Sequence, residues 1–474
     1  MSLHPTIIQG GMGAGVSHWR LANSVSRLGQ LGVVSGTALD QILVRRLQDG
    51  DPDGHMRRAL DHFPFPEMAE RVRSAWFIEG GKAANAPYKS PPMHSKDSPR
   101  HLKELTVIAN FVEVWLAKEG HTNPVGINFL EKAQLPHLPS IYGAMLAGVD
   151  YVLMGAGIPI RIPGVLDAFA QHQPATYPLH VAGTGDPVNL EFNPAEYMER
   201  PLPPLTRPIF LPIIASNTLA VTLLRKANGA VDGFIVEGPT AGGHNAPPRG
   251  KLQLSEAGEP IYGERDEVDL AKLRELGVPF WLAGGYGTPE KLREALAAGA
   301  AGIQVGTPFA FCTETGLSPY YRESVLQQVA AGTAKVFTDP TASPTNFPFK
   351  VVQLEDSVAH PGTYAQRTRV CDLGVLREPY FTEDGKINYR CSAEPVTTHE
   401  AKGGKPENTD GRKCLCNALL ANIGLPQTRA TGYVEKGLIT AGDSLTGVSA
   451  FLPPEGIDYS AADVVNKILA CASS

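Results

Sequence analysis

The sequence predicts an α/β fold, a (β/α)8 TIM barrel with inserted loops and a cysteine-containing C-terminal extension, on three observations. Short aliphatic runs alternate with longer stretches of helical periodicity, the pattern of repeated βα units around a parallel sheet. Eight such runs can be counted. Gly, Thr, Asn and His gather just after the C-terminal ends of the runs, the face on which barrel enzymes carry their sites.

The first run, Thr6-Ile7-Ile8-Gln9, ends in Gly10-Gly11-Met12-Gly13, and a helical pattern follows from Trp19 to Leu28. Leu31–Val34 leads into Ser35-Gly36-Thr37 and a helix with Leu39, Ile42, Leu43 and Leu47 on one face. Val125–Leu130 and Tyr151–Met154 are near-continuous apolar runs, as parallel strands buried on both faces should be. Ile209–Ala215 precedes a helical run over Leu219–Lys226, and Phe234–Val236 opens into Glu237-Gly238-Pro239-Thr240-Ala241-Gly242-Gly243-His244. Pro279–Ala283 ends in Gly284-Gly285-Tyr286-Gly287 before a helix over Pro289–Ala298. Gly302–Val305 closes the count and ends in Gly306-Thr307.

Residues 1–340 are therefore expected to form the barrel, with insertions near 76–100, a Lys-, Pro-, Gly- and Ala-rich loop, and 183–208, a proline-rich irregular excursion. Residues 341–474 lack the βα rhythm and are expected to be an extension or a small subdomain. No other internal repeat is present.

Composition narrows the function classes. The 474 residues are 43% hydrophobic, enough to bury a large core. Lys and Arg total 42 against 48 Asp and Glu, a formal charge of −6, which argues against a nucleic-acid partner. No run approaches the length of a membrane span and the N-terminus has no secretory pattern, so no membrane partner and a cytoplasmic location are expected. None of the first 311 residues is cysteine, unlike a secreted disulfide scaffold. A small-molecule substrate is the remaining expectation.

Two glycine-rich loops one βα unit apart suit a phosphate, which needs close backbone N–H groups and a helix N-terminus. They are Ala283-Gly284-Gly285-Tyr286-Gly287-Thr288-Pro289 and Gln304-Val305-Gly306-Thr307-Pro308. They fall after the seventh and eighth runs, where barrels commonly bind phosphate.

Five pieces in order carry a family resemblance: Ile7-Ile8-Gln9-Gly10-Gly11-Met12, Gly126-Ile127-Asn128-Phe129, Ala241-Gly242-Gly243-His244, Leu282-Ala283-Gly284-Gly285-Tyr286-Gly287 and Gly302-Ile303-Gln304-Val305-Gly306-Thr307. Together they span residues 5–310 and resemble the nitronate monooxygenase (2-nitropropane dioxygenase) family and the related FMN-type enoyl-thioester reductases. The resemblance implies an FMN-dependent oxidoreductase. It places Gly11 and Met12 against the flavin ring and gives Asn128 and Gln304 hydrogen bonds to the cofactor. Gly243, Gly284, Gly285, Gly287, Gly306 and Thr307 are set around its phosphate tail, and Gly242 is a further cofactor-binding candidate. Gly-Gly-Met-Gly in place of the usual Gly-Pro-Met or Ala-Pro-Met, and Asn245-Ala246-Pro247-Pro248-Arg249 after the histidine, depart from the family pattern and bear on the substrate. Family members are often oligomeric, which leaves a homo-oligomer open.

His244 follows a strand-ending Gly-Gly pair, and its near-neutral ordinary pKa suits a general base. The alternative is a histidine that only hydrogen-bonds FMN or backbone. Glu237 is a candidate for a ribityl hydroxyl, a cation or a neighbouring loop. Cys371, Cys391, Cys414 and Cys416 fall within 46 residues and are candidates for zinc or an iron–sulfur cluster, against the alternative of free thiols. Cys312 reads as packing, and Cys471 is given no role.

The functional expectation is oxidation of a nitronate or nitroalkane-type molecule with oxygen. Its rivals are an enoyl-thioester reductase using NAD(P)H, of fatty-acid or polyketide type, and a flavin-binding partner protein with a metal or iron–sulfur site. A barrel holding a different phosphorylated ligand ranks last.

Overall fold

In a computed structural model that describes residues 4–470, eight parallel strands form one barrel. They are β1 (Ile7–Gln9), β2 (Gly32–Ser35), β3 (Val125–Leu130), β4 (Tyr151–Gly155), β5 (Ile209–Ile214), β6 (Phe234–Glu237), β7 (Phe280–Ala283) and β8 (Gly302–Val305). Each pairs in parallel with its neighbours in sequence among these eight, and β1 returns to β8 with Ile7 opposite Ile303. A bridge between Ile8 and Leu31, with Gln9 N donating to the Leu31 carbonyl at 2.9 Å, closes the ring between β1 and β2. All eight expected runs are strands, with ends displaced by about one residue.

The interior is packed rather than hollow. Ile8, Leu31, Val33, Leu153, Leu211, Ile235 and Trp281 make one buried cluster from alternate inward positions, which is how a small barrel excludes water. Gln9 is wholly buried and acts as a polar strut: its Oε1 accepts from Val33 N at 3.0 Å, and its Nε2 reaches Ser17 Oγ at 2.8 Å.

Outside the ring, helices cover the strands. Trp19–Arg27, Leu39–Gln48, Asn217–Lys226 and Pro289–Ala297 stand where helical periodicity places them. Residues 77–99, within the first expected insertion, carry no helix or strand. The second differs from expectation. Val188–Phe192 is a strand that pairs antiparallel with Ala175–Leu179, because Leu190 and Phe192 alternate inward and bury against the helix layer.

Val336–Asp339 pairs antiparallel with Phe349–Val352, and beyond it the chain forms a second small hairpin, Glu378–Phe381 with Ile387–Arg390, and several short helices. Part of it packs on itself, around Ala342, Phe349, Val351, Leu415 and Leu438. Another part joins the outer core of the barrel: Val464, Val465 and Ile468 of the helix Ala461–Leu469 bury with Leu21, Val25 and Leu292. Cys471 lies outside the described residues. No helix among the described residues is long and apolar enough to cross a membrane.

Candidate functional site

The C-terminal ends of the strands open into a cavity of about 240 Å³. Gly11 and Met12 after β1, Asn128 of β3, Glu237 of β6, Gly242 to His244, Gly284 to Gly287, Gln304 of β8 and Gly306-Thr307 all line it. The structure thus brings every expected cofactor residue, and His244, to one place.

The two expected glycine loops form part of the lining. Gly284 and Gly285 hold φ of +90° and +76°, and Gly243 has φ +82°, a region that L side chains rarely adopt. The loop after β7 runs into the helix Pro289–Ala297, whose N-cap Thr288 accepts from Lys291 N at 3.3 Å. Gly306 caps the short turn Thr307–Ala310 after β8. Backbone N–H groups and helix starts therefore converge, as an anion requires.

Two amides in the lining have spare bonding capacity. Asn128 Nδ2 donates to the Gly11 carbonyl at 3.1 Å, but its Oδ1 is buried without a partner. Gln304 Oε1 is likewise buried and unpartnered. A buried amide left unsatisfied costs about 1–3 kcal/mol, so both are set for a ligand. Gly11 must be glycine for close approach, since a Cβ there would lie 2.5 Å from Asn128 Cβ.

His244 sits between this cavity and a second one. Its Nε2 lies 2.7 Å from Ser343 Oγ, and the ring meets Phe349 edge-on at 4.7 Å. Burial pushes its pKa down to about 4, so the ring is neutral at pH 7. Glu237, also shared by both cavities, has no hydrogen-bond or ion-pair partner among the described residues; burial pushes its carboxyl up to about 8.

Several lining residues carry no signal in the sequence pattern. Residues 439–444 reach over the glycine loops: Gly243 N donates to Thr440 Oγ1 at 2.8 Å, and Gly442 N donates to Thr307 Oγ1 at 2.9 Å. A Cβ on Gly242 would come within 2.9 Å of the Ala441–Gly442 backbone, so glycine there allows the strap to lie flat. Thr307 keeps its hydroxyl proton to donate after accepting from Gly442. Ser343 and Phe349, which fix His244, also come from beyond the last barrel strand.

Cys371, Cys391, Cys414 and Cys416 line one small cavity in the extension, and all four are free thiols. Cys416 also lines the main cavity. Among the described residues no group of three or more His, Cys, Asp or Glu is arranged to hold a metal ion, so the zinc and iron–sulfur expectations gain no support. Cys312 is fully buried, with its thiol donating to the Phe309 carbonyl at 3.2 Å.

Comparison with known proteins bears out the resemblance carried by the motifs. The nitronate monooxygenase family model matches residues 206–341, from β5 through the two glycine loops. A nitronate monooxygenase of Pseudomonas aeruginosa is 26% identical over 274 residues, 58% of this chain and 70% of its own. A probable nitronate monooxygenase of Bacillus subtilis is 31% identical over 118 residues, 25% of this chain and 32% of its own. Among solved structures, FabK from Thermotoga maritima aligns at TM-score 0.48 and 16% identity, covering 99% of this chain and 93% of that one. A nitroalkane oxidase from Streptomyces ansochromogenes aligns at 0.46 and 15%, covering 99% and 96%.

Proposed function

From the premise that the chain is an enzyme of the FMN-dependent oxidoreductase type, similar to the nitronate monooxygenases, we propose that it oxidises a small nitronate-type substrate with oxygen. The observation that carries the reading is one cavity lined both by glycine loops at positive φ and by two buried amides with unpartnered oxygens. That combination of groups fits a phosphate tail joined to a hydrogen-bonding ring. Gly243, Gly284, Gly285, Gly287, Gly306 and Thr307 would hold the phosphate of FMN, and Gly11, Met12, Asn128 and Gln304 its ring. When bound, FMN supplies a reversible acceptor of substrate electrons.

The chain's own groups set what substrate suits it. His244 is neutral, and its Nε2 is engaged with Ser343. A base whose conjugate acid titrates near 4 removes a proton from carbon poorly at pH 7. The site therefore suits a substrate that arrives already deprotonated, as a nitronate does, with His244 orienting it. The segment 439–444 and Phe349 limit water at the mouth.

The test is an absorption spectrum of the purified protein, with chromatography of any released chromophore. FMN is the expected release, followed by oxygen uptake with alkyl nitronates. A colourless protein that does not take up added FMN would overturn the reading. NADPH oxidation with an enoyl thioester, and none of the oxygen uptake, would move the assignment to a reductase.

A further inference from the structure

Beside the cofactor cavity lies a second of about 230 Å³, and the two share Ala156, Ile213, Glu237 and His244. Ala156, just past β4, holds φ +57°, an uncommon conformation for a residue with a Cβ and one that clusters at functional sites. The shared wall is therefore where a molecule in the second cavity would meet a ligand in the first.

The walls of this second cavity are mainly apolar: Ile158, Ile214, Leu219, Pro239, Pro247 and Phe347 contribute side chains. Ile158 is 56% exposed, which places an aliphatic side chain at an open edge. The polar groups around the cavity are mostly engaged elsewhere. Tyr262 OH donates to the Ala246 carbonyl at 3.1 Å, and Arg249 Nη2 donates to the Ala215 carbonyl at 2.9 Å. Asp266 accepts from Arg249 N and Gly263 N at 2.9 Å each. Glu237 is the polar group left free, at the end of β6 where the two cavities join.

We propose that this second cavity is the substrate chamber, that it takes a molecule with an extended apolar chain and an oxygen-bearing acceptor head, and that Glu237 is a catalytic residue whose carboxyl donates a hydrogen bond to that oxygen. The proposal rests on the oxidoreductase reading above and deepens it. The titratable or charged groups facing Glu237 across the two cavities are His244, Arg249, Tyr262, Asp266, Tyr286 and Cys416. None of them is a cause of its raised pKa, which comes from burial alone. With no cation to hold it ionised, the carboxyl keeps its proton at pH 7 and can donate, which an ionised carboxylate cannot. Toward a thioester carbonyl, whose oxygen gains charge as hydride adds, such a donor is worth about 10²–10³ in rate, and toward a nitronate oxygen, which already carries the charge, it binds and orients the substrate. An apolar chamber adds about threefold to fourfold in affinity for each CH₂ it buries. A nitronate oxygen and a thioester carbonyl both meet the head-group requirement.

The test uses the FMN-loaded enzyme with alkyl nitronates of three to eight carbons, or so (~3–8), under oxygen, and with 2-enoyl N-acetylcysteamine thioesters of the same lengths plus NADPH. Calorimetric binding of the saturated analogues gives a readout independent of turnover. The expected result is a KM and Kd that fall about threefold per CH₂ until the chamber is full, in whichever series turns over. Glu237→Gln, which retains an N–H donor, should keep kcat within about threefold and lose the fall in rate that wild type shows above pH 8 or so (~8). Glu237→Leu should lose about a hundredfold in kcat/KM with FMN content unchanged. Ile158→Lys, at an exposed position that tolerates substitution, should raise KM for the long chains more than for the shortest. Affinity independent of chain length, a fully active Glu237→Leu, or a Glu237→Gln as impaired as Glu237→Leu would each overturn the proposal. Absence of FMN from wild type would overturn the oxidoreductase reading itself, a distinct outcome.

Discussion

At the scale of single residues, the site is a set of backbone angles and two buried titratable groups. Gly285→Val puts a branched side chain at φ +76°, where L residues are strained, and fills the space a phosphate would use. FMN content should drop at least about tenfold, read from the ratio of flavin to protein absorbance; full occupancy would move the phosphate elsewhere. His244 and Glu237 also leave opposite marks on stability. His244 titrates near 4 in the folded chain against 6.5 ordinarily, so its contribution is present above pH 6.5 and is lost as pH falls toward 4. Glu237 is raised from 4.5 to about 8, so its contribution is present below pH 4.5 and is lost as pH rises toward 8. Each effect is at most about 1.4 kcal/mol per pH unit within its window. In thermal melts, Glu237→Gln should therefore gain on wild type between pH 5 and 8, and His244→Gln between pH 6 and 4 (both ~). Parallel melting curves at all pH values would show that neither group is shifted.

At the scale of elements, the barrel was legible and the cover over it was not. A strand buried on both faces must be apolar throughout, so Val125–Leu130 and Ile209–Ile214 announce themselves locally. The glycine loops do the same, because positive φ and close approach restrict residue choice at Gly284 and Gly285. Thr440, Ser343 and Phe349 reach the site through long-range packing, which leaves no local periodicity to read. Leu190 and Phe192 were obscured by the prolines around them, although their alternation marks a strand. The thiol-bearing elements behave differently from one another. The hydrogen bond that Cys391 shares with Cys371, and then burial, raise the Cys391 thiol, burial raises that of Cys416, and the same hydrogen bond lowers that of Cys371. Brief iodoacetamide treatment of the native protein, followed by peptide mass spectrometry, should label Cys371 well before Cys391 and Cys416. Equal labelling of all three would contradict this ordering.

At the scale of the whole molecule, the segment beyond residue 340 is tied together by a buried ionic network. Glu435, 1% exposed at its side chain, pairs with Arg367 at 2.7 Å and with Arg429, which also pairs with Asp372 at 2.5 Å. Glu435→Ala leaves Arg367 buried without its partner, and breaking a buried pair from one side costs about 3–5 kcal/mol. Urea unfolding should show a loss of that size; a change under about 1 kcal/mol would mean the network is solvated. Truncation at residue 340 should expose the barrel surface now covered by Val464, Val465 and Ile468, giving an aggregating protein. The strap at 439–444 has a consequence for how the molecule is made. The motif Gly10–Gly13 leaves the ribosome long before Thr440 and Gly442, which line the same cavity. Until they do, the barrel's mouth lacks the bonds to Gly243 and Thr307 that hold the strap across the glycine loops. A nascent chain can thus form its ring of strands early, yet it gains the strap over the cavity only once residues 439–444 have emerged. Termination before residue 439 removes the strap and leaves Gly243 N and Thr307 Oγ1 without these partners, however remote the break is in sequence from the motifs.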